Sequence, residues 1–427
     1  MPEASGNQPA RPSAQAGHWR RNLYVCLGGS FTTIVAMTLL LPFLPLYVEH
    51  LGVRSPGAIV QWSGLAFGIT FLAAALVSPI WGRLADRYGR KLMLVRASLG
   101  MAVVMSMMGL AQNIYELVAL RLAIGLAGGY ASGSVILVAM QTPKDRSGWA
   151  LGTLSTGVMA GSFAGPLLGG VLPGLIGLRQ TFFAAGGAIF LAVLATCFLI
   201  REERGARPSG GEPGAPRIGT WAAIPNRRPV VALLATALLL MFANMSIEPI
   251  ITVYVAELEP AGGRVALMSG LVMAASALAS ILAAPSVGRL ADRIGAWRVV
   301  IACLVACGLL LIPQAFVTDA WQLVLLRFLM GLALAGLLPS ITALIRHSVP
   351  DTITGGVLGY SQSAQYLGQI TGPLVGGFVG AHFGMRAVFF VTSALMLCGA
   401  MANGIVLRSL SGAPLVPDAL RVLWSRR

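Results

Sequence analysis

Three charged residues stand in stretches of sequence too apolar to hold them cheaply. Arg121 lies in LVALRLAIG, Arg327 in LVLLRFLMG and Glu248 in NMSIEPIITVY. A charge at the centre of a membrane-spanning helix costs about 2.5 to 3.5 kcal/mol on insertion scales, so each is a candidate functional group. Glu248 is the single carboxylate well inside an apolar stretch. Asn244 sits one helical turn before it on the same face, and Pro249 behind it leaves backbone locally unpaired. A carboxyl group in such a place can load and release a proton. Counted from the end of its stretch, Glu248 is nearer the outer end than the middle. It reads as a lumen-facing coupling group or as a wetted residue beside an outer gate. The two arginines read as cavity residues, or as structural groups that satisfy freed carbonyls or snorkel outward.

A second kind of chemistry is written twice. GRLADRYGRK fills positions 82–91 and GRLADRIGAWR fills 288–298, an offset of 206 that also relates Arg121 to Arg327 and Pro79 to Pro285. GPLLGG at 165–170 returns as GPLVGG at 372–377, one residue out of step. A fixed long offset marks two copies of one unit, and paired halves in a membrane protein point to one half rocking against the other. In the first copy Gly82 and Gly89 permit a tight reversal. Asp86 suits a helix amino terminus, where the dipole favours an anion. Arg87, Arg90 and Lys91 can pair with acids or with carbonyls at helix ends. Contacts of that kind form in one arrangement and break in another, as a gate requires; the alternative is a solvated basic turn. The second copy keeps Gly288, Asp292, Arg293 and Gly295 but carries Ala296 and Trp297 in place of Arg90 and Lys91, so its latch is weaker or only structural.

Gly161, Gly165, Pro166, Gly169 and Gly170 give one stretch a flat face for close helix packing and a proline that allows a bend. Gly368, Gly372, Pro373, Gly376 and Gly377 repeat the arrangement. Gln362, Gln365, Tyr366 and Gln369 share a polar face. With Arg327 they are candidates for a substrate cavity, interhelical hydrogen bonding being the competing role. Met101, Met105 and Met108 make a soft stripe that suits core or lipid contact.

These residues need long helices to place them. Of 427 residues 56% are hydrophobic and only 11% charged, with a mean hydropathy of +0.79, against about 25% charged in soluble domains. Twelve apolar stretches of about 19 to 27 residues match the length that crosses about 30 Å of hydrocarbon. The expected architecture is all-α and membrane-embedded, with twelve transmembrane helices in two pseudo-repeated bundles of six. Residues 1–18 read as a disordered tail, 19–200 as the first bundle, 201–229 as a linker rich in Pro, Gly and charge, 230–407 as the second bundle and 408–427 as a tail. With both termini assigned to the cytoplasm, 24 of the 30 Lys and Arg lie on that side and four (Arg54, Arg179, Arg264, Arg386) on the other, which obeys the positive-inside rule. The same asymmetry accounts for the net charge of +15 as a topology signal, with no nucleic-acid partner implied. Cys26, Cys197, Cys303, Cys307 and Cys398 read as small buried hydrophobes, and no metal or other cofactor is indicated. His18, His50, His347 and His382 are too scattered for a catalytic cluster, which argues against an integral-membrane enzyme. No phosphate-binding loop for ATP is present.

Two six-span halves, GRLADRYGRK after span two, Arg121 in span four and GPLLGG in span five resemble the major facilitator superfamily and, within it, the twelve-span drug:proton antiporters. The strings LPFLPLYVEHLGV, KLMLVRASLGM, GLAQNIYELVALR and SGWALGTLSTG are similar to those of MdtG-type multidrug resistance transporters. The resemblance implies export of small amphiphilic or drug-like molecules against protons, with a single chain in the bilayer as the working unit. It implies a cytoplasmic latch at the GRLADRYGRK turn, a proton or cavity role for Arg121, and an antiporter signature in the span-five glycines. A uniporter or symporter of sugars, metabolites or lipids in the same superfamily is the alternative. Many members carry their coupling acid in the first half; here Glu49 and Glu116 fall only at span ends.

Overall fold

The chain was described by a computed structural model covering residues 18–202, 221, 224, 226–259 and 264–411. The amino-terminal tail before His18, most of the linker and the carboxyl-terminal segment after 411 lie outside the described residues.

Fifteen α-helices follow one another, and among the described residues there is no strand. The first half holds α1 (Trp19–Leu39), α2 (Leu44–His50), α3 (Pro56–Tyr88), α4 (Arg90–Met108), α5 (Ile114–Ala127), α6 (Tyr130–Gln141), α7 (Ser147–Ile176) and α8 (Leu178–Leu199). The second holds α9 (Arg227–Leu258), α10 (Val265–Ile294), α11 (Ala296–Gln314), α12 (Ala320–Leu334), α13 (Leu337–Ser348), α14 (Asp351–Phe383) and α15 (Met385–Ser411). Three of the twelve expected stretches are broken. The first divides at Leu40–Phe43, where Pro42 cannot donate a backbone bond. The fourth divides at Gly128 and Gly129, the latter at φ +112°, and the tenth at Ala335 and Gly336.

Eleven helical stretches are long and apolar enough to cross a membrane when α5 with α6, and α12 with α13, are each taken as one. The helix α14 is not among them, although its 33 residues equal those of α3. Its glycines and glutamines dilute its apolarity, and it lies between α9 and α3. Its position makes it the twelfth span.

The 206-residue offset reappears in the contacts. Tyr47 Oη donates to the Met108 carbonyl at 2.7 Å, and Tyr254 Oη donates to the Gln314 carbonyl at 3.0 Å. Gly125 packs on the Thr70 carbonyl and Ala73, and Gly331 on the Ser276 carbonyl and Ala279. Each half buries its own apolar core: Phe43, Tyr47, Met105 and Phe182 in the first, Leu233, Tyr254, Leu304 and Phe389 in the second. The stripe Met101, Met105 and Met108 belongs to the first core.

The halves meet along two seams, α3 on α14 and α7 on α10. A Cβ on Gly64 would strike the Pro373 carbonyl, and one on Gly270 would strike the Pro166 carbonyl. These two glycines are themselves related by the offset. Further contacts, Thr252 Oγ1 donating to the Pro42 carbonyl at 2.9 Å and Gly57 against Ala381, gather at the face opposite the GRLADR turns. Toward the GRLADR face α3 and α14 part beyond Gly68 and Ile370, leaving a recess of about 750 Å³. The molecule is closed at one face and parted at the other.

Candidate functional site: a charged central cavity

Between the two halves lies a cavity of about 450 Å³ whose walls come from α1, α3, α5, α7, α9, α10 and α12. The buried charges of both repeats converge on it. Arg121 from α5 and Arg327 from α12 are 1% and 3% exposed, and both line the cavity with Glu248 and Asn244 of α9. The Arg121 guanidinium lies 4.7 Å from the centroid of the Phe67 ring, a cation–π contact. Nε and Nη2 of both arginines and Oε2 of Glu248 have no hydrogen-bond partner among the described residues. Arg327 is the charge that acts on Glu248, yet no close ion pair between them is recorded among the described residues. Buried charged groups are normally satisfied, so three unmet ones around a void leave room for a polar occupant.

The depth reading of Glu248 changes accordingly. In the sequence it stands near the outer end of its stretch, but α9 runs on to Leu258 and carries Glu248 into the lumen beside Arg327. The apolar lining comes from residues the sequence reading did not single out: Met37, Met241, Met245, Met273, Phe67 and Phe71. The signal for two of them was present, since Met241, Met245 and Glu248 share a helical face. Methionine is unbranched and polarizable and adapts its shape to irregular partners.

Of the polar stripe on α14, only Gln362 and Tyr366 face open space, and that space is the recess beside α3. Gln365 and Gln369 are half-buried and line neither cavity. Four residues on one helical face therefore do not make one site, because α14 crosses from one neighbour to another along its length. Arg327 alone of that candidate group reaches the central cavity.

The glycine motif sits as packing requires. A Cβ on Gly161 would meet Ile34, one on Gly165 would strike Thr38, and one on Gly169 would strike the Leu39 carbonyl, so α7 lies flush on α1. Gly170 turns the other way, onto Ala266 and Leu267 of the second half. Pro166 adjoins both the cavity and the α7–α10 seam. Gly368, Gly372 and Gly376 repeat the pattern against α9, and Gly377 packs on Val60 and Gln61 of α3.

At the GRLADR turns, Gly89 and Gly295 take φ +99° and +93°, a region closed to other residues without strain. Asp86 lies in the last turn of α3, not at a helix amino terminus. The anion at the amino terminus of α4 is Glu202, whose carboxylate accepts from the backbone N–H of Arg90 at 2.7 Å and of Lys91 at 2.8 Å. The linker root is held there by a second clasp. Asn22 Nδ2 donates to the Arg201 carbonyl at 2.8 Å, and Arg201 N–H donates to Asn22 Oδ1 at 3.2 Å. In the second half the offset brings Arg408 to the place of Glu202, and an arginine cannot accept these bonds. Arg87, Asp292 and Arg293 are exposed, and a Cβ on Gly82 or Gly288 would meet nothing within 4 Å. All five cysteines are free, and no cluster of three or more metal-ligating side chains exists among the described residues.

Known proteins share this architecture and much of its sequence. The profile of the Major Facilitator Superfamily matches residues 26–261 and 265–421. The multidrug resistance protein MdtG of Dickeya zeae is 44% identical over 402 residues, covering 94% of this chain and 98% of its own. That of Enterobacter lignolyticus is 45% identical over 400 residues, covering 94% and 95%. Among solved structures, a bacterial homolog of the human lysosomal transporter Spinster, described as inward-facing and occupied, aligns with a TM-score of 0.75 at 16% identity over 94% of this chain and 98% of that one. The nucleoside transporter NupG aligns with a TM-score of 0.69 at 14% identity over 90% and 99%. Duplicated halves, a shared lumen and a profile that spans nearly the whole chain have one meaning: the chain is a multi-pass membrane protein of the major facilitator superfamily, a family of transporters.

Proposed function

We propose that this protein exports small amphiphilic or drug-like molecules across the bacterial cytoplasmic membrane in exchange for protons. The observation that carries the proposal is the convergence of Glu248, Asn244, Arg121 and Arg327 on one lumen between two repeats. MdtG proteins are named for multidrug resistance, and near 45% identity over most of both chains supports the same class of cargo here. Methionine and phenylalanine walls fit apolar bodies of varied shape, while the unmet polar groups orient a head.

Antiport follows if proton and cargo compete. Glu248 takes a proton from one side, the lumen rocks to the other, and cargo displaces the proton there by claiming the same polar groups. Arg327 is the electrostatic neighbour that biases this exchange. Arg121 holds the opposite wall and orients the cargo. The positive-inside asymmetry places the termini and both GRLADR turns in the cytoplasm, so the parted face is the inward one. Asp86, Arg87, Arg90 and Lys91 then latch the cytoplasmic face when the outer face opens, with Asp292 and Arg293 as the weaker counterpart. The lumen lies within one chain, which supports a monomer as the working unit, and no catalytic cluster supports enzymatic activity.

Inside-out vesicles test the proposal. An imposed proton gradient should drive uptake of exported compounds, and an uncoupler should abolish it. Transport that ignores the proton gradient and follows only the compound's own gradient would indicate a uniporter instead.

A further inference from the structure

The recess between α3 and α14 is separate from the central cavity yet shares a wall with it. On α3, Phe71 lines the central cavity while Ala75 and Ser78 line the recess. These three are spaced i, i+4 and i+7, so one face of α3 runs from one space into the other. The recess follows α14 from Gly355, four residues after the helix begins, to Ile370. That is fifteen residues, or about 22 Å at 1.5 Å per residue. It thus extends from the GRLADR surface to mid-depth, where the Gly68–Ile370 contact closes it.

Its chemistry is graded. Leu76 and Leu367 at its edges are 67% and 54% exposed, and inside stand Ser78, Gln362, Ser363 and Tyr366. A slot with apolar edges and hydroxyl and amide groups within matches a molecule with a hydrocarbon body and a polar head. At the surface end the Trp221 indole meets Tyr360 edge-on, centroids 5.9 Å apart and planes at 84°, which places the end of the linker against this mouth. Small residues keep the slot wide: a Cβ on Gly355 or Gly359 would meet nothing within 4 Å.

We infer that the α3–α14 recess is a lateral entry site, where amphiphilic cargo dissolved in the GRLADR-side leaflet binds before passing along α3 into the central cavity. The inference rests on the export reading and adds the route by which cargo arrives. The occupant is the cargo amphiphile and not a bilayer phospholipid. Two acyl chains need more width than a slot bounded by two single helices, and no cationic side chain lines the recess to hold a phosphate.

Photolabelling of the full-length protein in nanodiscs tests it. The probe is a single-chain amine amphiphile with a diazirine midway along its tail, compared with a phosphatidylcholine carrying the same diazirine. The amphiphile should mark Ser78–Ile80 and Tyr360–Leu367 together with residues of the central cavity. Gly359→Trp, which fills the slot without meeting a neighbour at Cβ, should remove label from both places. Equal marking of the recess by the phospholipid would overturn the inference and make the recess a lipid-filled groove. Undiminished cavity label in Gly359→Trp would overturn the entry route while leaving export intact. Absence of label from the recess of the wild-type protein would overturn the inference without recourse to any variant. Active export in vesicles with that absence would separate its failure from failure of the export reading.

Discussion

The pair of glycines at the seams permits a quantitative prediction. Gly64 rests on the Pro373 carbonyl and Gly270 on the Pro166 carbonyl, and a Cβ at either would enter the space of that oxygen. Both neighbours are backbone within helices, so the added methyl can be accommodated only by moving α3 from α14, or α10 from α7. Overpacking of this kind costs about 1 to 3 kcal/mol. The cost falls only on the arrangement in which the seam is shut, because the seam must part when that face opens. Gly64→Ala should therefore shift the equilibrium toward the arrangement open at the outer face by about 5- to 150-fold. Gly270→Ala should act likewise, and the two together should be close to additive if the seams are independent. The assay is the labelling rate of Ser162→Cys, a residue of the cavity wall, by a membrane-impermeant maleimide added outside cells, in a background lacking the five native cysteines. Gly82→Ala, whose Cβ would meet nothing within 4 Å, is the control for a change without contact. Unchanged labelling in Gly64→Ala, with normal membrane insertion, would refute the assignment of this seam to one state.

Other outcomes follow from the same geometry. Glu248→Gln keeps the volume and removes the titrating group, so transport should lose its pH dependence; an unaltered profile measured in vesicles would exclude Glu248 from coupling. Arg121→Leu should abolish export while membrane insertion stays normal, and loss of the protein from the membrane would show that its role is structural. Glu202→Ala removes a carboxylate that meets two N–H groups at the start of α4. Asp86→Asn should accordingly slow cycling more than Asp292→Asn, since only the first turn has this support; equal loss in a transport assay would contradict the asymmetry. Arg96 stacks 3.6 Å from the Trp81 ring centroid and donates to the Leu126 and Gly128 carbonyls freed at the break between α5 and α6. Arg96→Leu should lower stability by about 1 to 3 kcal/mol, the usual worth of hydrogen bonds from a charged group. Thermal unfolding in detergent measures the change.

Much of the architecture is legible because a bilayer permits few solutions. Backbone polar groups in hydrocarbon must be satisfied within the segment, so long apolar stretches become helices, and lysine and arginine placement orients them. The offset of 206 that links Arg121 to Arg327 predicts two like halves, and Tyr47 with Tyr254 and Gly125 with Gly331 reproduce it in their contacts. The roles of the α14 stripe and of Asp86 were not legible in the same way. Helical periodicity tells which residues share a face, but not which neighbour that face meets along a 33-residue helix. Glu202 gave no local signal at all, since its partners at Arg90 and Lys91 lie more than a hundred residues earlier.

The residue order alone therefore determined a duplicated, helical, membrane-embedded chain with rare charges buried in it. Those properties depend on hydropathy and spacing, which are local. Tertiary structure decided that Glu248 shares a lumen with both arginines, that methionines from four separate positions line it, and that the seams close at one face only. Such facts depend on which helix surfaces face one another across the chain, and packing of the two halves settles that as a whole.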